Sequence, residues 1–315
     1  MAKVELPKEK WTGRVREVKL GDGGRRRVTL GGASALPFLK EEGSLPNPPR
    51  IAIELRDDGG LSFPETLRSA WGKVLENPGA WARRAAELGP DLLVLRLVSA
   101  HPEYGNTGKA EAKEAVSQVL SAADLPLIVI GPELPEKDNE VLTAASEVAR
   151  GQRIALGNCV ADNYRTIAAC CLSDDHVAIA KTPLDINLAK QLNSLLSDIG
   201  LPPDSIMADP DTGALGYGLE YGYTVVERLR LAALMGDSSA AAPVIVHPGA
   251  ETWRHKEIKV AQGIPHTWGK LEERAVAWEA ITALALIHAG ADVVVMCHPK
   301  AIELVKAAME KLSTR

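Results

Sequence analysis

The chain has 315 residues, 46% of them hydrophobic, with a net charge of −5. That length suits one large α/β domain or two ordinary ones, and the acidic balance gives no electrostatic reason to expect nucleic acid or an anionic membrane as partner. Residues 1–5 hold no apolar leader and no run is long and apolar enough to span a bilayer, so the expectation is a cytoplasmic protein.

The first expected element is a hairpin. Its strands cover 14–20 and 25–30, joined by Gly21-Asp22-Gly23-Gly24, residues that tolerate the positive φ of a tight turn. The basic run Arg25-Arg26-Arg27 falls on this hairpin and reads as a solvated decoration. From residue 50 a period emerges. Runs rich in Val, Ile and Leu recur at 50–55, 91–97, 127–130, 154–156, 177–180, 206–208, 244–246 and 292–296. They alternate little, as strands buried on both faces should. Helices are expected between and after them, over 80–88, 109–122, 139–149, 164–172, 188–199, 221–234, 271–288 and 302–311. Gly89, Gly200, Gly236 and Gly290 stand just past helix ends, where a left-handed cap favours glycine.

Eight strands, each followed by a helix, predict a (β/α)8 TIM barrel over residues 49–315. Residues 1–48 then form an N-terminal β-hairpin extension and lead-in closing the barrel bottom. An open doubly wound sheet is the competing architecture, but no Gly-x-Gly-x-x-Gly follows the first strand. Two connections at the functional end are long, residues 57–78 and 247–270. Loops of that size usually carry function or meet a partner. The second holds Trp253, Arg254, His255, Lys256, His266 and Trp268, the composition of an interface hot spot.

The predicted rim, in order, carries His101 and Asn106, Glu133, Asn158 and Cys159, Lys181 to Asn187, Asp209 to Gly213, His247, and His298. Three enzymatic readings compete for these groups. Lys181 ends a strand, where a Schiff-base aldolase would need a lysine of lowered pKa; a salt-bridged Lys181 beside Asp185 is the alternative. A metal-dependent hydrolase would need converging His and carboxylates, but only His247 and His298 end strands and no His-x-His is present. Asp185-Ile186-Asn187 could hydrogen-bond an aminopyrimidine edge, as pterin chemistry requires, or could cap the helix that begins at Leu188. Asp209 and Asp211 could equally be turn residues. The four cysteines, Cys159, Cys170, Cys171 and Cys297, include no Cys-x-x-Cys, so iron–sulfur or zinc ligation by this chain is not expected. No nucleophile–base pair stands out, which suggests that the reactive group belongs to a cofactor or a partner.

Longer blocks are more specific. Residues 182–193 (Thr-Pro-Leu-Asp-Ile-Asn-Leu-Ala-Lys-Gln-Leu-Asn), Asp209-Pro210, residues 215–221 (Leu-Gly-Tyr-Gly-Leu-Glu-Tyr), Glu251-Thr252-Trp253-Arg254 and His298-Pro299 resemble the small subunit of the corrinoid iron–sulfur protein. That family is also called the delta subunit of acetyl-CoA decarbonylase/synthase, and the likeness extends over nearly the whole chain. The resemblance implies a (β/α)8 barrel paired in a heterodimer with a large subunit that carries the [4Fe–4S] cluster and a corrinoid-binding domain. The corrinoid would lie between the two subunits. Its cobalt would shuttle methyl from a methyl-tetrahydropterin, held by a methyltransferase, to acetyl-CoA synthase in the anaerobic reductive acetyl-CoA pathway. This chain would supply no cluster, no cobalt ligand and no catalytic residue of its own. Asp185, Asn187, Asp209, Tyr217, Gly218 and Trp253 are the expected cofactor-facing residues. A stand-alone pterin-dependent methyltransferase of the same barrel type is the alternative. The chain departs from the family pattern at Thr182, over 210–214, at Ala250, where Tyr is usual, and at Cys297, where Arg is usual.

Overall fold

The computed structural model describes residues 7–313; the first six residues, on which the expected start of the lead-in and the leaderless N-terminus rest, lie outside the described part. Eight parallel strands follow one another in space: from β3 (Arg50–Arg56), β4 (Leu92–Arg96), β5 (Leu127–Ile130), β6 (Ala155–Cys159), β7 (Val177–Lys181) and β8 (Ile206–Asp209) run to one side, while β10 (Val293–Met296) and β9 (Ile245–Val246) lie on the other. A parallel bridge from Ala208 to Val244 closes the ring between β8 and β9. The expected TIM barrel is therefore present, with β1 (Glu17–Leu20) and β2 (Val28–Gly31) as the antiparallel N-terminal hairpin.

Strand alternation explains both the core and the site. Successive residues of a strand face opposite ways. Ala52, Leu92, Val94, Ile128, Ile130, Ala155, Val177, Ile179, Met207, Ile245, Val293 and Val295 form one buried cluster in the barrel lumen, and the hairpin residues Val18, Leu20, Val28 and Leu30 complete it. The hairpin thus plugs the barrel from its N-terminal end. It is sewn to the bottom loops by backbone bonds from Arg16 to Ala241, Gly21 to Arg153 and Arg26 to Asp124, at 2.7, 3.0 and 2.9 Å. Ile51, Ile53, Leu55, Leu93 and Leu95 point outward into a larger second cluster shared with the surrounding helices.

The helical layer comprises α2 (Pro78–Glu87), α3 (Lys109–Ala122), α4 (Pro135–Val148), α5 (Tyr164–Asp174), α6 (Ile186–Asp198), α7 (Leu219–Leu234), α9 (Leu271–Ala289) and α10 (Pro299–Ser313). Gly290, at φ 119°, ends α9 in the left-handed conformation that its position predicts. Two short helices stand inside the long connections: α1 (Glu65–Trp71) in the first and α8 (Pro248–Thr252) in the second. Neither connection is a slack loop. The first buries Phe63, Leu67, Trp71 and Leu75, and Trp81 of α2 meets Phe63 edge-on at 5.9 Å and Trp71 at 5.7 Å. No helix among the described residues is long and apolar enough to cross a membrane.

Removing the fully buried Trp81 side chain deletes the support under the first connection. Trp81→Ala should lower unfolding free energy by about 3 kcal/mol, read as a shift of the urea midpoint at unchanged slope.

Candidate functional site

The inward-facing rows of the barrel do not stop at the apolar lumen. Two residues beyond Ala52 comes Glu54 and then Arg56; two beyond Val94 comes Arg96. Likewise Lys181 follows Ile179, Asp209 follows Met207, His247 follows Ile245 and Cys297 follows Val295. The period of two therefore delivers a layer of mostly charged side chains to the C-terminal mouth, where TIM barrels place their functional groups. Of these, Arg56, Arg96, Lys181, Asp209 and His247 line a cavity of about 590 Å³ together with His101, Tyr104, Glu133, Asn158, Asp211, Glu251, Arg254 and Lys259, while Glu54 and Cys297 are fully buried.

These charges form a continuous alternating chain. Glu54, fully buried, pairs with Arg56 at 2.7 Å and with Arg96 at 3.3 Å. Arg96 continues to Glu133 at 3.1 Å, and Glu133 to Lys181 at 3.0 Å. Beside Lys181, Asp209 meets His247 Nε2 through Oδ2 at 3.3 Å and accepts Asp211 N–H through Oδ1 at 2.9 Å. Burial by itself would raise the Glu54 carboxyl, but Arg96 and Arg56 outweigh it and hold it at about 2. Burial also pushes the Asp209 carboxyl up; His247 and then Lys181 reverse the sign and leave it below its ordinary value. Arg56 additionally lies 4.0 Å over the Phe63 ring and donates to Ser62 Oγ at 2.7 Å, which ties the first long connection to the mouth.

A second buried carboxylate sits behind this layer. Glu279 of α9 is fully enclosed and accepts the Trp253 indole N–H at 2.7 Å and the His298 N–H at 3.2 Å, together with the Cys297 N–H. Burial raises it to about 7, further than those three donors can lower it. One side chain thus joins α8, α9 and the end of β10. The Trp253 ring also stacks on His298 at 5.6 Å.

The expected site residues fall in different places. Asp209 is in the cavity. Asp185 caps α6, accepting the Asn187 and Leu188 N–H groups at 2.7 and 3.1 Å, and Asn187 is exposed at the start of that helix. Tyr217 is 88% exposed and Gly218 precedes α7 beside the Glu220 carboxylate. Trp253 is 2% exposed, so its indole braces the rim from inside instead of facing outward. Asp211 makes a turn, its carboxylate accepting Thr212 and Gly213 N–H, as the turn reading anticipates. Glu54, Arg56, Arg96, His247 and Glu279 carry most of the geometry, and of these the rim expected from sequence contains only His247. A charged residue two positions beyond the last apolar inward residue was the available signal.

Lys181 settles one competition. Burial would lower its pKa, but Asp209, Glu133 and Asp211 raise it above the usual lysine value. A Schiff-base nucleophile needs the opposite shift and a free amine, so the pairing of Lys181 with Glu133 at 3.0 Å counts against the aldolase reading. The salt-bridged alternative is right in kind, with Glu133 and not Asp185 as partner. His247 pairs with Asp209, while His298 accepts the Lys300 N–H through Nδ1 at 3.1 Å. Among the described residues, no three His, Cys, Asp or Glu side chains cluster as a metal site. Burial pushes the Cys159 thiol up to about 12, and the Cys171 and Cys297 thiols also rise well above the ordinary value.

The two buried carboxylates predict opposite pH responses. Glu54 is lowered from 4.5 to about 2 on folding, so its contribution is complete above pH 4.5 and disappears as pH falls toward 2. Glu54→Gln should destabilise the protein by about 3 kcal/mol at pH 7, because two guanidiniums lose their shared partner. The gap from wild type should close as pH falls through that window, by thermal unfolding. Glu279 is raised from 4.5 to about 7, so its contribution is complete below pH 4.5 and is lost as pH rises through about 7. Glu279→Gln should flatten the stability profile between about pH 5 and 8; an unchanged slope would count against this assignment.

Comparison with known proteins agrees with the barrel. A family model described as CO dehydrogenase/acetyl-CoA synthase delta subunit matches residues 17–311. The acetyl-CoA decarbonylase/synthase complex subunit delta of Archaeoglobus fulgidus is 38% identical over 325 aligned residues, covering 99% of this chain and 71% of that protein. The corresponding subunit delta 1 of Methanosarcina thermophila is 36% identical over 315 residues, covering 96% and 71%. Among solved structures, a Xanthomonas albilineans dihydropteroate synthase superposes with a TM-score of 0.60 at 17% identity, covering 95% of this chain and 98% of that one. Dihydropteroate synthase from Thermus thermophilus gives 0.54 at 16% identity, covering 89% and 98%. At such identities the likeness is one of fold alone. With a family match over residues 17–311 and relatives 36–38% identical, this chain belongs to the CO dehydrogenase/acetyl-CoA synthase delta subunit family.

Proposed function

We infer that this chain is the delta, or small, subunit of an acetyl-CoA decarbonylase/synthase system and forms the barrel half of a corrinoid methyl carrier. The observation that carries this reading is the family match over residues 17–311, which spans the barrel and its mouth. When bound, the corrinoid supplies a cobalt that accepts and donates a methyl group. The partner is a large subunit that holds the corrinoid and an iron–sulfur cluster. A methyl-tetrahydropterin methyltransferase and acetyl-CoA synthase meet the pair transiently.

The residues at the mouth suit such a ligand. A corrin ring is fringed with carboxamides, each both donor and acceptor. The cavity offers guanidinium and ammonium donors from Arg254 and Lys259, carboxylate acceptors from Glu133, Asp211 and Glu251, and the half-buried His101 and exposed Tyr104 at its edge. Ala250 also lines it, so the family's usual Tyr is replaced there by open space. Asp185, Asn187, Tyr217 and Gly218 do not line this cavity and would be outer contacts on the same reading. Trp253 supports the rim through Glu279.

The chain's own task is to cover. The paired floor from Glu54 to His247 is held in place by its neighbours, so it presents polar groups without reorganising. A protein surface laid over one face of a corrinoid excludes water and protects a reactive metal from side reactions. Release of the methyl group then requires the covering surfaces to separate.

Co-expression with the cognate large subunit tests this. The isolated chain should be colourless, and the pair should co-purify with corrinoid absorbance. Tight binding of methyl-tetrahydrofolate by the isolated chain, lost in Asn187→Ala, would instead support the stand-alone methyltransferase.

A further inference from the structure

The charged floor of the mouth has one link that no strand carries. Glu133 stands on the connection between β5 and α4, and its side chain is 51% exposed, against 13% for Arg96 and 19% for Lys181. Both cations meet the same oxygen of this carboxylate, Oε1, at 3.1 and 3.0 Å. The backbone beneath it is fixed. The Glu133 N–H donates to Asp138 Oδ1 at 3.2 Å, and a Cβ at Gly131 would stand 2.1 Å from that same oxygen, so only glycine permits the approach. What is free to move is the Glu133 side chain, about its own torsions.

The two cations cannot follow it. Arg96 gives Nε and Nη2 to Glu54 at 3.3 Å each, so its guanidinium plane is set from below and Nη1 is the nitrogen turned to Glu133. Glu54 is fully buried and also pairs with Arg56, so it cannot leave without stranding two guanidiniums. Lys181 is held by Asp209 as well as by Glu133. A half-exposed ion pair is cheap to break, whereas a buried one is not. When Glu133 swings out, Arg96 Nη1 and Lys181 Nζ therefore stay aimed at one point in the cavity of about 590 Å³.

Charge defines what fits that point. Arg56, Arg96 and Lys181 stand against Glu54, Asp209 and Glu133, three against three. With Glu133 turned away the balance is three against two, a surplus that one singly charged oxyanion neutralises. A carboxylate does so and matches the group it replaces, while a phosphate dianion exceeds it. The cavity has the size of a small-molecule site.

We propose that Arg96 and Lys181 form an oxyanion subsite in the mouth, filled by the chain's own Glu133 and taken over by the carboxylate of a small organic ligand. Glu133 is then an internal competitor, and the ligand's apparent affinity is reduced by the fraction of chains in which it has swung out. The subsite adds a ligand class to the mouth. It rests on the functional reading only for what that mouth does, and its test needs no partner.

The test titrates the full-length chain with propionate by calorimetry, at ionic strength held constant with sodium chloride. Glu133→Gly removes the competitor at a position whose φ of 69° suits glycine, and should bind propionate at least tenfold more tightly than wild type. Glu133→Gln keeps the volume without the charge and should also bind more tightly than wild type, which keeps the question answerable if the glycine variant does not fold. Adding Lys181→Met to either variant should abolish the gain, and propionamide, uncharged and of the same shape, should not bind. Glu147→Gln, which breaks an exposed ion pair with Lys113, serves as the control and should match wild type. Circular dichroism identifies any variant that misfolds. Folded Glu133 variants without a gain, a gain that survives Lys181→Met, or equal binding of propionamide would each overturn the proposal. Inorganic phosphate bound more tightly than propionate would overturn it too, since the subsite would then take a dianion. None of these results bears on the functional reading, and a pair that co-purified without corrinoid would leave the subsite standing.

Discussion

A carboxylate without access to water must find positive partners, and the Glu54 side chain imposes that requirement on the whole barrel mouth. Its position follows from strand alternation, since Ala52 two residues earlier faces the lumen. Burial there would be prohibitive without Arg56 and Arg96, and Arg96 in turn meets a second carboxylate. Arg96 recruits Glu133, Glu133 recruits Lys181, and Lys181 lies beside the Asp209–His247 pair. The result is a floor whose members fix one another. It joins most of the barrel strands at the end where the apolar lumen gives way to solvent.

The same logic operates behind the floor through Glu279. Its three donors come from α8 and from the turn after β10, so an otherwise short helix and a strand end are held to α9. Lumen, floor and rim are therefore three layers built on one another. The hairpin closes the bottom, apolar side chains fill the centre, and the charged layer presents a polar mouth. On the proposed reading, such a mouth covers a cofactor that a partner holds. Opening then belongs to the contact between the proteins, because the rim loops are tied down by Arg56, Arg274 and Glu279.

Much of this is legible in the sequence. The eight Val/Ile/Leu runs, the hairpin with its glycine turn and the helix-ending glycines all express local rules: period, turn chemistry and capping. Where sequence reasoning falls short, distance along the chain is the reason. Trp253 is expected on the cofactor-facing rim and is buried, because its indole N–H finds Glu279, which lies 26 residues further on. Proximity in sequence points Lys181 to Asp185, whereas the fold brings it to Glu133 on another strand's loop. The short helices α1 and α8 are hidden in long connections, since neither is long enough to show a period.

The sequence alone determined the barrel, because each βα unit announces itself by local composition, and its longer blocks determined the family. It also determined which residues follow the inward row of each strand, since that row is set by a period of two. The tertiary structure decided what those residues do. Whether a charge at a strand end is solvated, paired or left to meet a ligand depends on the strands beside it, and the pairing of β3 with β4 and of β7 with β8 joins residues far apart in sequence. Only closure of the ring turned scattered polar residues into one connected floor.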